Sequence, residues 1–122
     1  MIAIPLKKLG EKPLVSNYFS KCKWFAIIDH DVISFEKNIH SNGCLIVDWL
    51  YDLGVSRTVL NKIGKDPLKK MRSMNISCFY DEKDDKYLLD ILEKIEKKKL
   101  IQITDNNEAV IVDLVSGCKE MC

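Results

Sequence analysis

Apolar positions fall into short blocks whose period switches between two and about 3.6, and the blocks predict an alternation of strands and helices. Met1 to Leu6 is short, apolar and interrupted by Pro5, which predicts a strand buried on both faces. Lys7 to Lys23 carries Gly10, Pro13, Ser16 and Asn17 without a sustained period and reads as a long loop, a kind of segment that usually has a function. Trp24 to Asp29 and Val32 to Glu36, joined at His30-Asp31, predict a hairpin with Ile33, Phe35 and Ile39 on one face. Ser41-Asn42 supplies cap chemistry for a helix from Cys44 to Leu53, with Ile46, Trp49, Leu50 and Leu53 inward and Gly54 as its stop. Val55 to Ile63 reads as a strand ending at Gly64. Asp66-Pro67 then reads as an N-cap followed by proline in the first helical position, opening a short helix that turns Leu68, Met71 and Met74 inward. Asn75 suits a left-handed cap, and Asn75 to Asp81 a fifth strand. Asp84 or Asp85 should cap the longest helix, whose inner stripe is Leu88, Ile91, Leu92 and Ile95. Leu100 to Thr104 and Ala109 to Val115 look extended around Asp105-Asn106-Asn107. The resulting order, β-β-β-α-β-α-β-α, predicts a mixed sheet with helices covering its parallel part.

Composition narrows the function classes. A chain of 122 residues fits one core. Its 19 basic against 18 acidic residues leave a charge of +1, which argues against a dedicated nucleic-acid binder. Apolar runs of four residues, such as Cys44 to Val47, fall far short of the roughly 20 needed to span a bilayer, so no membrane partner is expected. Five cysteines, with Met1 opening directly into Ile-Ala-Ile-Pro, suggest a cytoplasmic protein with free thiols.

Among the thiols, Cys22 lies between Lys21 and Lys23, a setting expected to favour the thiolate that metals require; the alternative is a half-buried apolar residue. Cys44 and Cys78 fall in predicted core elements. Cys118 and Cys122, four apart near the end, could contribute metal ligands with a third group, or be incidental to a tail. His30 and His40 have turn and cap contexts and no partner at metal-site spacing. No phosphate-binding glycine loop, Ser-His-Asp pattern or His-Glu-x-x-His segment occurs.

Met-Ile-Ala-Ile-Pro at the start, Val15-Ser16 with Phe19, the aromatic strand Trp24 to Asp29, and Ile63-Gly64 before a helix together resemble the dinitrogenase iron-molybdenum cofactor biosynthesis family, the small NifX-, NifY- and NifB-C-terminal-type proteins. The resemblance spans about residues 1 to 100. It implies a ribonuclease-H-like three-layer α/β/α fold with a five-stranded mixed sheet, order 3-2-1-4-5, strand 2 antiparallel. It also implies a cofactor-binding domain over residues 1–104, with residues 105–122 as a C-terminal extension. Where the family often reads Ser-Pro-His-Phe-Gly, this chain has Ser16-Asn17-Tyr18-Phe19-Ser20, so Tyr18 stands at the position of a proposed cluster ligand. The family's glycine-rich segment appears as Asn61-Lys62-Ile63-Gly64-Lys65-Asp66.

In the implied strand order the loops Lys7 to Lys23 and Gly64 to Pro67 flank one crevice, at the carboxyl ends of neighbouring strands where ligands settle. The first loop holds five lysines against Glu11, and residues 62–72 hold four lysines and Arg72 against Asp66. A positive mouth suits an anionic guest, although lysines also serve solubility. The expected function is a non-enzymatic carrier or scaffold for an iron-sulfur or iron-molybdenum-type cluster. Its site would comprise Ser16, Tyr18, Cys22, Lys62, Gly64 and Lys65, with Cys22, Cys118 and Cys122 as candidate metal ligands. Its partners would be the cluster or a cluster-donor or acceptor protein, and the chain a monomer or homodimer. The alternative is a cluster-free interaction module. A nuclease lacks its carboxylate in the first strand, and a thiol redox enzyme lacks Cys-x-x-Cys at a helix start.

Overall fold

The computed structural model describes residues 1–83 and 85–112. Its centre is β1 (Ile2–Lys8), buried from Ile2 to Leu6. Next come β2 (Leu14–Val15), β3 (Trp24–Asp29), β4 (Val32–Lys37), α1 (Gly43–Leu53), β5 (Arg57–Val59), α2 (Lys65–Ser73), β6 (Ser77–Tyr80), α3 (Leu88–Glu96) and β7 (Ile101–Gln102). The sheet has seven strands, ordered β4-β3-β1-β5-β6-β7, with β2 beside β1. The five expected strands take the expected order, and β3 runs antiparallel to β1 and β4 while β5 and β6 run parallel to β1. The expected count of five is corrected by β2 and β7, each only two residues long, too short to leave a period in the sequence.

Helices cover both faces. Ala3, Phe25 and Ile27 pack with Ile46, Val47 and Leu50 of α1 and Leu68 and Met71 of α2. Ile2, Ile4, Leu6, Ala26 and Val59 pack on the opposite face with Leu88 and Ile91 of α3. This division follows the two-residue period of β1 and β3. Aromatic rings fill the first layer edge to face, Phe25 lying 5.7 Å from both Phe19 and Trp49.

Several ends differ from expectation. Asn42 caps α1, its side chain accepting from the N–H groups of Cys44 at 2.8 Å and Leu45 at 3.4 Å, and Gly54 ends it at φ 95°. In α2 the cap is Gly64, so Pro67 occupies the third helical position rather than the first; its missing N–H is still one of those a helix start leaves unpaired. Asn75 does take the left-handed conformation, at φ 59°. The N-cap of α3 is Tyr87, and no side chain closes it. Asp85 is spent elsewhere: its carboxylate meets Lys94 at 2.6 Å, and its own N–H donates to Asp81 at 2.8 Å. Residues 108–110 form one turn of 3-10 helix where an extended segment was expected, and the remainder of that stretch, 113–115, lies outside the described residues.

Residue 111, past the expected boundary at 104, packs in the core. Ile111 is fully buried among the side chains around α1 and α2, and Ile63 N–H donates to its carbonyl at 2.8 Å. An Ile111→Ala variant is expected to lose about 2–4 kcal/mol of stability in urea unfolding; a loss within about 0.5 kcal/mol, as at a surface site, would place the segment outside the folded unit.

Asp81, at the end of β6, is buried and accepts from the N–H groups of Lys83 and Asp85 and from the Lys94 ammonium. Burial pushes its carboxyl up, but the Lys94 hydrogen bond and the two backbone donors outweigh it and hold the group below its ordinary value. A carboxylate depressed in the folded state stabilises above its unfolded pKa and loses that contribution as pH falls through the folded value. Thermal midpoints of the native chain should therefore drop as pH is lowered below about 4, with a flatter acid limb in Asp81→Asn. Lys94→Met, which strips the buried carboxylate of its cation, should cost about 1–3 kcal/mol at neutral pH.

Candidate functional site

The site arises where β1 and β5 part. They pair only at Ile2↔Arg57 and Ala3↔Thr58. Beyond Ala3 that edge of β1 meets β2 instead, through Leu6↔Val15 and the Ser16 N–H donating to the Pro5 carbonyl at 2.9 Å. Pro5, which has no N–H to offer, sits at this change of partner. The chain after β2 then crosses to the loop after β5. Tyr18 and Lys62 form a parallel bridge, and Phe19 N–H donates to the Lys62 carbonyl at 2.9 Å. Ser16 sets the bend, its Oγ donating to the Tyr18 carbonyl at 2.9 Å and accepting from the Tyr18 N–H at 3.3 Å.

Between these loops and the end of β6 lies a hollow of about 360 Å³, lined by Asn17, Tyr18, Asn61, Lys62, Tyr80, Asp81, Glu82 and Val110. The lining presents hydrogen-bonding groups from two amides, two phenols and one ammonium, together with the carboxylates of Asp81 and Glu82. Lys21 Nζ lies 5.1 Å over the Tyr18 ring, a cation–π contact that places a second positive charge beside that side chain. The Lys62 ammonium donates to the Val110 carbonyl at 2.9 Å, so the segment 108–112 forms one wall.

The residues singled out in the sequence divide. Tyr18 and Lys62 meet at the hollow. Ser16 is buried behind Tyr18 and shapes its loop. Gly64 caps α2. Lys65 faces a different depression of about 260 Å³, lined with Glu108, Ala109 and Val112. Cys118 and Cys122 lie outside the described residues.

Cys22 departs most from expectation. It is 4 % exposed and packs in the core layer that holds Phe19 and Phe25. Burial pushes its thiol up to about 12, although hydrogen bonding at its own backbone and to Asn38, whose amide lies 3.8 Å from Sγ, works the other way. The thiolate expected from two flanking lysines is thus disfavoured, because Lys21 and Lys23 point their charges into water while the sulfur turns inward. Among the described residues, no three His, Cys, Asp or Glu side chains gather as a metal site.

The positive mouth is also reduced by internal pairing. Arg72 binds Asp105 at 2.8 Å and Glu108 at 2.6 Å, and Lys70 binds Asp48 at 2.8 Å. Of the hollow's lining, Asn17, Asn61, Tyr80, Asp81, Glu82 and Val110 escaped the sequence reading. Tyr80 was accessible in principle, as the last residue of a parallel strand; Val110 comes from a segment whose return to the sheet has no local signature.

Comparison with known proteins places this geometry. The NMR structure of a candidate NifB protein from Thermotoga superposes with a TM-score of 0.72 at 17% identity, covering 83% of this chain and 90% of that one. The apo orange protein of Desulfovibrio gigas gives 0.73 at 14% identity, covering 84% and 92%. A candidate dinitrogenase of Methanocaldococcus jannaschii gives 0.59 at 20% identity, covering 84% and 94%. These identities establish a shared fold. No curated protein matches the chain in sequence. No helix among the described residues is long and apolar enough to cross a membrane. The family model for the dinitrogenase iron-molybdenum cofactor, by contrast, matches residues 1–98, most of the chain's length, and the protein belongs to that family.

Proposed function

We propose that the chain is a non-catalytic carrier or scaffold for an iron-sulfur or iron-molybdenum-type cluster or its precursor, of the kind handled in nitrogenase cofactor biosynthesis. Its cargo would sit in the hollow between Tyr18 and Lys62. The observation that carries this reading is the bridge between the two loops at the parting of β1 and β5, which leaves an opening lined by hydrogen-bonding side chains in a chain of this family. Lys62 and the Tyr18 hydroxyl would contact an anionic guest, and Asn17 and Asn61 could donate to its sulfide or oxo atoms. Asp81 on the same wall is paired with Lys94, which it shares with Asp85, while the carboxylate of Glu82 opposes an anion and sets a limit on how much negative charge the guest could carry. Cys22, buried in the core layer with Phe19 and Phe25, would support the loop rather than ligate. The guest would arrive with its own inorganic ligands and be held by charge and hydrogen bonds, as suits a group that must later leave.

A second reading, a cluster-free interaction module, is favoured by one contact: residues 108–112 lie against the loop after β5 and occupy its Lys62 ammonium.

Anaerobic incubation with iron and sulfide, with and without molybdate, followed by desalting, metal analysis and absorption spectroscopy, separates the two. The carrier reading expects retained metal in the native chain, equal retention in Cys22→Ser, and roughly tenfold weaker retention in Lys62→Glu. A native chain that emerges colourless and metal-free supports the interaction module. Loss of metal in Cys22→Ser alone would restore a thiolate ligand and remove the proposed binding mode.

The buried thiol gives a separate check. With a pKa of about 12, Cys22 should resist iodoacetamide at neutral pH in the folded chain and react at an ordinary rate in urea, as read by peptide mass mapping. Rapid native alkylation would contradict its burial.

A further inference from the structure

Strand β4 forms one edge of the sheet, and β7 the other. β4 pairs with β3 along its whole length, and its other edge has no strand beside it among the described residues. Every residue from Val32 to Lys37 is exposed, including Ile33 at 41 % and Phe35 at 44 %. Edge strands are usually blunted by proline, bulges, inward charge or charged side chains along the edge; the charges of β4, Glu36 and Lys37, lie at one end only. β4 has no proline, and its register with β3 runs unbroken from Trp24↔Lys37 to Asp29↔Val32.

The direction of its free backbone groups follows from one hydrogen bond. In the same register Asn38 N–H donates to the Lys23 carbonyl at 2.9 Å. Antiparallel pairs alternate between bonded and non-bonded, so Val32, Ser34 and Glu36 turn their N–H and C=O groups toward β3, while Ile33, Phe35 and Lys37 turn theirs outward. The side chains of Ile33 and Phe35 lie on the α3 face, opposite Ile28 and Ala26. Lys37 shares that face by the same alternation, and the exposed Asp31 sits in the turn immediately before the strand, two residues from Ile33.

We propose that two copies of the chain join β4 to β4, antiparallel, across a two-fold axis at Ser34, making one continuous sheet. In this register Ile33 stands opposite Phe35 of the other copy, and both residues have outward backbone groups, so each pair closes two N–H···O=C bonds. Asp31 stands opposite Lys37 of the other copy, and symmetry repeats both pairings. Opposite charges therefore flank a central patch of two isoleucines and two phenylalanines, a favourable set of cross-strand neighbours. An axis at Phe35 keeps the backbone parity but sets Ile33 against Lys37 and Asp31 against Ile39. An axis at Ile33 sets Asp31 against Phe35. Only the Ser34 axis satisfies charge, apolar pairing and backbone direction together. The contact is small, and the association it supports is reversible. It does not depend on what the hollow holds.

Sedimentation velocity of the full chain, over roughly 10 μM to 1 mM, tests the proposal. The native chain should move from monomer toward dimer with concentration. Asp31→Lys and Lys37→Asp each set like charges opposite one another at both ends, and each should weaken association about tenfold. An equimolar mixture of the two variants restores opposite charges at both ends and should associate at least as tightly as the native chain. All these side chains are exposed, so circular dichroism should report an unchanged fold. A native chain that stays monomeric throughout the range overturns the proposal. So does a native dimer that both variants form equally well, which would put the contact on another surface. A mixture no tighter than either variant alone would rule out the Ser34 register.

Discussion

One edge of β1 is shared between two partners, and the rest of the architecture follows from that division. A buried strand must satisfy its N–H and C=O groups along its length, yet β5 accompanies this edge only as far as Ala3↔Thr58. From there β2 and the Ser16 N–H take over, and Pro5 removes a donor where the partners change. The exchange forces the long loop back against the start of the sheet and lets β1 and β5 separate. Tyr18 and Lys62 close the gap behind them. The hollow is a consequence of this handover: had β5 followed β1 to Leu6, the two loops would have had no opening to line.

The same handover decides the fate of the cysteine in the loop. Because the loop after β2 must return to deliver Trp24 opposite Leu6, its final turn alternates between water and core. Phe19 and Cys22 point inward, and Lys21 and Lys23 point out. Neighbouring lysines favour a thiolate only if sulfur and ammonium share solvent; here the sulfur has been moved into a layer of aromatic rings, and the desolvation penalty dominates. Local charge in a sequence is thus a poor guide to thiol reactivity when a tight return to a strand separates alternate residues by the thickness of the surface.

Periodic features of the fold were legible before any coordinates. The strand order of the five longer strands, the hairpin at His30, the cap at Asn42 with its glycine stop, and the left-handed Asn75 all have local or family signatures. What escaped shares one cause, dependence on distant partners. Strand β2 exists because a longer strand offers it an edge, not because two residues have a period, whereas β7 falls within the stretch from Leu100 to Thr104 expected to be extended. Asp84 or Asp85 was expected to cap a helix; Asp84 lies outside the described residues, and Lys94 and Asp81 engage Asp85 instead by supplying a charge and a buried acceptor. Gly64, in an extended conformation at φ −66° and ψ 156°, took the cap expected of Asp66. In the site, Tyr18 and Lys62 were visible as members of two loops. Tyr80 and Val110 required knowing where β6 ends and where the last segment returns.

That return also reassigns the charge of the basic stretch at residues 62–72. Counted along the chain, the stretch looks like an anion-binding strip. Folded, Arg72 is engaged by Asp105 and Glu108, Lys70 by Asp48, and the Lys62 ammonium by a carbonyl. Exposed pairs of this kind contribute little stability individually, but together they remove long-range attraction from one side of the hollow. In the carrier reading, selectivity for a guest would then come from short-range hydrogen bonding by Tyr18, Asn17, Asn61 and Lys62 rather than from a broad positive field. A hydrogen-bonding cradle of modest charge releases its guest more readily than a thiolate site would, and it leaves Lys62 able to exchange its bond to Val110 for one to an arriving anion. The wall formed by residues 108–112 and the guest would compete for the same ammonium, which couples occupancy of the hollow to the packing of the segment that follows the sheet.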